Sequence, residues 1–572
     1  MSLNLVSPGV KVREVDLTVG RVDAANEQVG AIAGPFQMGP VDVPILIENE
    51  KDLLKTFGKP VNEDAQYDYW LSASTYLSYG GVLRVLRTDG TTLNNANNDG
   101  ASSVKIKSYE DYENNHSTGS TWEYAAKNPG RWANNLKVCT IDGAADQIIT
   151  GVSTTNVSVG MGVTQSIAGR VNAGSGSTSA YDGYLRGIIT EVGGAMGGYL
   201  NVKIVDRVSA DGTVTAAEYQ QGGSLEFTAP TTVTTTTSVG IATNIAGVVD
   251  TAFDASITGI VTTGLAVNDV VTVTGGNSTV PTGTKIVAFG VGTVFVDQTI
   301  TGISTAGDGA QFSFSRGSTT TVNSNQLYVK SGTVGAGVTQ TYTSTTSLKD
   351  WYSDQTLGLT NSTVYWKSIA EKPGTSQYAS ERSAKNDEIH VVVVDDTGSV
   401  TGTAGNIVEK FTFLTKSSDG ITSPTEAVYY KNHIARISEY VYAGNAPTGV
   451  AGGFATTAAD GSFTTSNDPW GTTAQGKTYN VEGRQFYNLT AGENYSNTGG
   501  FGCSLSDIIT SYEVLKNPAE FPINFLINGP SGGDSIFESQ AKANKLIEIA
   551  NLRKDCIACI SPHRAGVVNV PN

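Results

Sequence analysis

The rhythm of apolar and polar positions divides this chain into three regions. In the first, Val10 and Val12 alternate with Lys11 and Arg13 behind a Pro8-Gly9 break, the period-two pattern of a short strand with no obvious partner nearby. GAIAGPF (Gly30–Phe36) and VPILI (Val43–Ile47) read as buried strands. Asn49 reads as the N-cap of a helix whose Leu53 and Phe57 share a face and which Gly58 ends. A second helix is expected over Tyr67–Ser78, with Trp70, Ala73 and Leu77 on one stripe. Gly80-Gly81 stops it, and VLRVL (Val82–Leu86) returns as a strand.

Past about Ile141 the pattern changes. DVVTVTG (Asp269–Gly275) and TVFVDQTI (Thr293–Ile300) alternate at period two, and only eight charged residues fall between Thr231 and Thr345. β-branched residues joined by glycine turns build strands, whereas a disordered low-complexity tract has no need of that alternation. ITGVSTTNVSVGMGVT (Ile149–Thr164) aligns without gaps on ITGIVTTGLAVNDVVT (Ile257–Thr272). The echo predicts two related small β-domains in tandem, over 141–250 and 251–345.

In the third region helical patterns return. EIHVVVVDD (Glu388–Asp396) predicts a central strand, Val408–Leu414 a second, and Tyr429–Tyr442 a helix. FPINFLI (Phe521–Ile527), a helix over Ile536–Leu552 and CIACI (Cys556–Ile560) make a βαβ unit with parallel strands. The expected fold class is α+β or mixed α/β and multidomain, an α/β core interrupted by a large inserted all-β region, a small sandwich or barrel. Its segments are a terminal arm (1–22), a leading α/β core segment (23–90), a linking core segment (91–140), the two β-domains, a later α/β core segment (346–500) and a βαβ end segment (501–572).

Composition narrows the function. A chain of 572 residues exceeds what one hydrophobic core supports. The net charge of −16 argues against a nucleic-acid partner, which requires a cationic footprint, and against an anionic membrane surface. No apolar run approaches the roughly 20 residues of a spanning helix, and the N-terminus lacks a basic segment followed by an apolar one. Cys139, Cys503, Cys556 and Cys559 are too few and too scattered for a disulfide framework, which fits a reducing compartment.

Candidate chemistry is sparse. Within LINGPSGGDSIF (Leu526–Phe537), Gly529, Ser531 and Gly533 spell G-x-S-x-G, the pattern of a hydrolase nucleophile, with Asp555 and His563 following in triad order. Ser535 and Glu538, however, form an S-x-x-E capping box that starts the helix four residues too late to aim its N-terminus at an oxyanion. The same glycine-rich loop is not a phosphate cradle either, because it lacks the G-K-[ST] ending and Asp534 stands where a cation would help. Cys556 and Cys559 have C-x-x-C spacing on a strand, which sends their side chains to opposite faces, so they read as buried structural thiols. Asp395-Asp396 at a strand end read as solvated turn formers, and His116, His390, His433 and His563 are scattered. Arg84 and Arg87 fit either an interface patch or pairing within the fold. Catalytic residues, metal ligands and cofactors are therefore expected to be absent.

Several blocks in order resemble the contractile tail sheath proteins of large myophages: SPGVKVREVD, AIAGPFQMGPVDVPILIENEKDLLKTFGKP, KNPGRWANNLKV (Lys127–Val138, similar to the N-P-G-x-W-x-N-x-L-x-V signature, with Ala133 where glycine is common), NDEIHVVVVDDTGSVTGTAGNIVEKF, YYKNHIARISEYVYAG and ANKLIEIANLRKDCIACISP. Together they cover about half of the chain. The resemblance implies a structural, non-enzymatic subunit that stacks in helical rings around a tail tube protein and contracts when the baseplate triggers it. Its partners would be itself, the tube, the baseplate and the tail terminator, in a virion tail assembled in the bacterial host cytoplasm. In that family terminal arms add strands to neighbouring subunits, which assigns the arm to Ser7, Pro8, Gly9, Val10, Lys11, Val12 and Arg13. Family members continue past the Ile560-Ser561-Pro562 block into a C-terminal domain, so 501–572 is expected to end in a truncated one. Rival readings are the sheath of a tailocin or other contractile injection system and a β-rich surface adhesin.

Overall fold

The computed structural model describes residues 28–62, 66–100, 103–167, 184–194, 197–208, 214–249, 256–301, 310–330, 338–345, 347–423, 426–447, 455–456, 463–464, 468–495, 502–531 and 535–568. They gather into two compact units. The first holds the described residues through Ala144, from Trp351 to Pro447 and from Asp468 onward; the second holds those from Ala145 to Asp350 and the short strands Ala455–Thr456 and Phe463–Thr464. With helices and many strands in several sheets, the protein is multidomain and mixed α/β.

In the first unit, both ends of the chain build one sheet. β1 (Val29–Gly34), β2 (Ile45–Ile47) and β3 (Val82–Arg87) join β4 (Phe525–Ile527) and β5 (Ile557–Cys559) in the order β2-β3-β1-β4-β5. Every pairing is parallel except β2 with β3. A strand with neighbours on both sides and helices against the sheet must be apolar throughout, which is why β1 carries Ala31-Ile32-Ala33, all fully buried. The helices are α1 (Glu50–Phe57), α2 (Gln66–Ser78), α3 (Leu505–Val514) and α4 (Ile536–Arg553), the last linking β4 to β5 as the βαβ pattern predicts. Asn49 Oδ1 accepts from the Asp52 amide at 3.0 Å and begins α1, and Gly58 at φ +83° ends it.

Arg87 belongs to this core and not to an interface patch. Its guanidinium is fully buried and donates to the carbonyls of Phe36 (2.8 Å), Gly39 (3.0 Å) and Gln37 (3.1 Å), fixing the turn after β1. Arg84 stays at the rim, its guanidinium 5.6 Å from the Phe521 ring centre.

A second sheet in the same unit is wholly antiparallel, in the order Asn406–Thr415, Glu388–Asp395, Leu136–Asp142, Arg484–Asn488. The Glu388–Asp395 strand is interior, as its unbroken apolar run predicts, with Val391 to Val394 fully buried. The helix expected over Tyr429–Tyr442 is shorter: it spans Tyr430–Ile437, and Val441–Ala443 pairs as a strand with Tyr124–Ala126. Ser438 breaks it. Its Oγ donates to Glu409 Oε2 (2.6 Å) and accepts from the amides of Tyr440 (3.1 Å) and Val441 (2.9 Å), which offers the chain an alternative to another helical turn.

In the second unit every regular element among the described residues is a strand. One sheet pairs Gly162–Ser166 with Tyr184–Gly193 and with Leu327–Lys330, over a core of Ile149, Val163, Leu185 and Leu200. A separate cluster around Ile257, Val271, Val294 and Phe312 is formed by residues of the echoed stretch and its neighbours. The echo is visible in the backbone. Positive φ recurs at equivalent positions, Gly151 with Gly259 (71° and 74°), Asn156 with Gly264 (59° and 88°) and Gly160 with Asn268 (89° and 74°). The same turn closes in both copies, Val157 N–H to Thr154 O and Leu265 N–H to Thr262 O, each at 3.1 Å. The copies differ in pairing: Gln147–Val152 and Gly162–Ser166 share one sheet, whereas Ser256–Thr258 and Val270–Gly275 lie in two.

Candidate functional site

The expected arm, Ser7 to Arg13, lies outside the described residues. Of the residues that mimic an enzyme site, Gly529, Ser531, Asp555 and His563 fall at described positions, and Gly533 lies outside them.

Gly529 takes φ +66° where an added Cβ would come within 3.2 Å of the Tyr69 ring, so the turn is glycine-specific for backbone geometry and close approach. Ser535 Oγ accepts from the Glu538 amide at 3.3 Å and starts α4 there, four positions after Ser531. Asp555 is engaged by Arg553 through two contacts of 2.9 Å. The loop is tied down by Lys542, fully buried on α4, which donates to the carbonyls of Asn528 (2.6 Å) and Pro530 (3.2 Å) and to Tyr69 Oη (3.1 Å). Burial lowers this amine to about 7. Any turnover of a p-nitrophenyl ester by the wild type is expected to persist unchanged in Ser531→Ala; loss confined to the variant would reinstate the hydrolase.

The acidic pair at Asp395-Asp396 is buried, contrary to the solvated turn expected. Asp395 Oδ2 accepts from the amides of Val400 (3.0 Å) and Thr401 (2.6 Å), while Asp396 receives Lys137 Nζ and Thr360 Oγ1, each at 2.8 Å. Cys559 is exposed and Cys556 half-buried, because β5 is the outermost strand of its sheet. His390 accepts from the Phe413 amide at Nδ1 (3.0 Å), which places its proton on Nε2, facing the Glu371 carbonyl at 2.7 Å. Among the described residues no three His, Cys, Asp or Glu side chains converge as metal ligands, and no helix is long and apolar enough to cross a membrane.

The Lys127–Val138 signature is built into the fold residue by residue. Gly130 sits at φ +133°, and a Cβ there would lie 2.9 Å from the Gln37 carbonyl. Trp132, nearly buried, donates from Nε1 to Asn128 O at 3.2 Å. Asn134 grips Gly492 from both sides, donating to its carbonyl at 3.0 Å and accepting from its amide at 2.8 Å. Leu136 and Val138 then enter the core of the antiparallel sheet.

The same signature lines a cleft of about 940 Å³. One wall is α1 and the Gly58 turn; the other is the end of the Tyr430–Ile437 helix with the Ser438–Tyr440 turn. Lys127 Nζ donates to the Ala435 carbonyl at 2.5 Å and sits 4.2 Å from the Tyr442 ring centre, and desolvation lowers it to about 8. Lys55 and Glu439 pair at 2.6 Å, both largely exposed. Lys127 and Trp132 stand out in the sequence as members of the signature, whereas Lys55, Arg436 and Glu439 do not. These three positions carry no local pattern, since distant segments bring them together.

The arrangement first defines a class: a multidomain mixed α/β protein whose signature residues serve packing and a cleft. No family model matches the chain. It is similar to curated tail sheath proteins: that of Salmonella phage ViI at 31% identity over 214 residues (37% of this chain, 30% of the relative), that of Enterobacteria phage T4 at 41% over 87 residues (15% and 12%), and that of Vibrio phage KVP40 at 34% over 95 residues (16% and 14%). The chain is a relative of the phage tail sheath proteins. Its matches span less than a third of each relative's own length.

Proposed function

We propose that this chain is a structural subunit of a phage contractile tail sheath, non-enzymatic, polymerising in helical rings around a tail tube protein and contracting to drive the tube through the host envelope. The observation that carries this is the 31% identity over 214 residues to a tail sheath protein. Supporting it, the family signature is occupied by core contacts, the helix after the hydrolase pattern starts only at the Ser535 cap, Asp555 is held by Arg553, and Lys542 tethers the loop at Asn528 and Pro530. Contraction on this reading is the relaxation of one packed lattice into another of lower free energy, which needs no nucleotide.

The remaining assignments belong to the same proposal. The Ser7–Arg13 segment adds a strand to a neighbouring subunit, with Val10 and Val12 setting register. The strands of 141–345 form an inserted all-β region on an α/β core. The baseplate and tail terminator are further partners, in a virion tail assembled in the host cytoplasm. Negative-stain electron microscopy of the concentrated protein tests the reading. Striated hollow cylinders are the expected result, and dispersed globules at every concentration would overturn it.

A further inference from the structure

The cleft beside α1 has a charge balance opposite to that of the molecule. Over the whole sequence 53 acidic residues outnumber 37 lysines and arginines. Lys55, Lys59, Lys127 and Arg436 line the cleft with one carboxylate, Glu439, which is already held by Lys55, while Glu409 behind Ser438 and Asp52 on α1 act on Lys127 and Lys55 from outside the lining. Lys59 and Arg436 are exposed and have no ion-pair partner among the described residues. Four cations held near one another repel, and a partly enclosed cleft concentrates their field more than an open face does. Between the charges the walls are apolar. Leu54 is 39% exposed and Ile437 51%, large side chains left at the opening, with Trp132 and Tyr440 further along the lining.

We infer that this cleft seats an acidic segment of a second copy of the chain, whose carboxylates meet Lys59 and Arg436 while an apolar side chain covers Leu54 and Ile437. The inference rests on the sheath reading, which makes other copies the most concentrated neighbours. Charge selects the occupant. With a net charge of −16, a copy is acidic over the rest of its sequence, and a cationic cleft on an acidic protein attracts that protein's own acidic segments while the remaining surfaces repel. Size agrees: about 940 Å³ takes a short stretch of peptide, not a whole domain face. The bond between Lys55 and Glu439 across the opening is an exposed pair of small net worth, so an incoming carboxylate can exchange for Glu439 at little cost.

The test uses the full chain. Sedimentation over a concentration series gives the concentration at half-assembly for the wild type, for Lys59→Glu/Arg436→Glu and for Lys59→Gln/Arg436→Gln. Both sites are exposed, and circular dichroism checks that each variant folds. Charge reversal is expected to raise that concentration about tenfold or more, with the glutamine pair in between and high salt weakening the wild type toward it. In parallel, a photo-crosslinking amino acid at Ile437 in a mixture of light and ¹⁵N-labelled protein is expected to join two copies through an acidic peptide. Wild-type assembly with an unchanged concentration in the reversed variant overturns this inference and leaves the sheath reading standing. So do crosslinks confined within one copy or made to a basic segment. A wild type that stays monomeric at every concentration removes both.

Discussion

Replacing Asp142 with alanine is expected to cost about 3–5 kcal/mol, one of the two largest effects anticipated for a single side chain here. Asp142 ends the inner strand Leu136–Asp142, and Lys416 lies just past the Asn406–Thr415 strand, two places away in the same sheet; both are fully buried, 2.7 Å apart. Lys416 Nζ also donates to the carbonyls of Asn386 (3.0 Å) and Asn480 (2.9 Å) and lies 4.8 Å from the Trp470 ring centre. Asp142 in turn accepts from the amides of Glu482 (2.7 Å) and Gly483 (2.8 Å), so it holds the Arg484–Asn488 strand to the sheet. Alanine leaves an ammonium in the interior without its counter-charge and two amides without an acceptor. Lys416→Met in the same molecule removes the orphaned charge, and the double variant should be more stable than Asp142→Ala alone. All six tryptophans lie in this unit, so urea unfolding followed by their fluorescence measures both. A loss under about 1 kcal/mol in the single variant would contradict a strongly held buried pair.

What the sequence disclosed was governed by how far each determinant lies along the chain. α1 was legible because Asn49 and Gly58, its start and stop, are its immediate neighbours. The Glu388–Asp395 strand was legible because burial on both faces demands an unbroken apolar run. The end of the Tyr430–Ile437 helix was not, since Ser438 is held by Glu409 from a different strand. Whether Arg87 served an interface or paired within the fold was not legible, because its three acceptors are backbone carbonyls, which have no side-chain identity to betray them. Cys559 read as buried because nothing in CIACI announces that its strand is outermost. The cleft was the least legible feature. Its cations come from α1, the signature turn and the Tyr430–Ile437 helix, and only the folded chain puts them on facing walls. The signature itself was recognisable as a pattern, but its physical content, a glycine at φ +133° and an asparagine clamping a distant loop, is tertiary.

The second large effect depends on pH and involves Glu482, beside the same ion pair. Desolvation pushes its carboxyl up to about 8, with the Asp142 charge adding to the rise, while the hydrogen bond from Tyr487 Oη (2.5 Å) and the Lys416 charge oppose it. The folded protein therefore keeps this proton where the unfolded chain, near 4.5, has lost it. Stability from this group is complete below the unfolded value, falls as pH rises from about 4.5 to 8, and is flat above. The full difference corresponds to about 5 kcal/mol, and residual solvent access brings the expected loss to about 3 kcal/mol. Glu482→Gln keeps the shape and an oxygen for Tyr487 but cannot ionise. At pH 5 the variant should match the wild type within about 1 kcal/mol, and at pH 9 it should be the more stable by about 3 kcal/mol. The comparison isolates one carboxyl, because every other titrating group is common to both proteins. Equal wild-type and variant urea midpoints at pH 9 would show that Glu482 ionises in the folded state without penalty, and that the ion pair beside it is open to water.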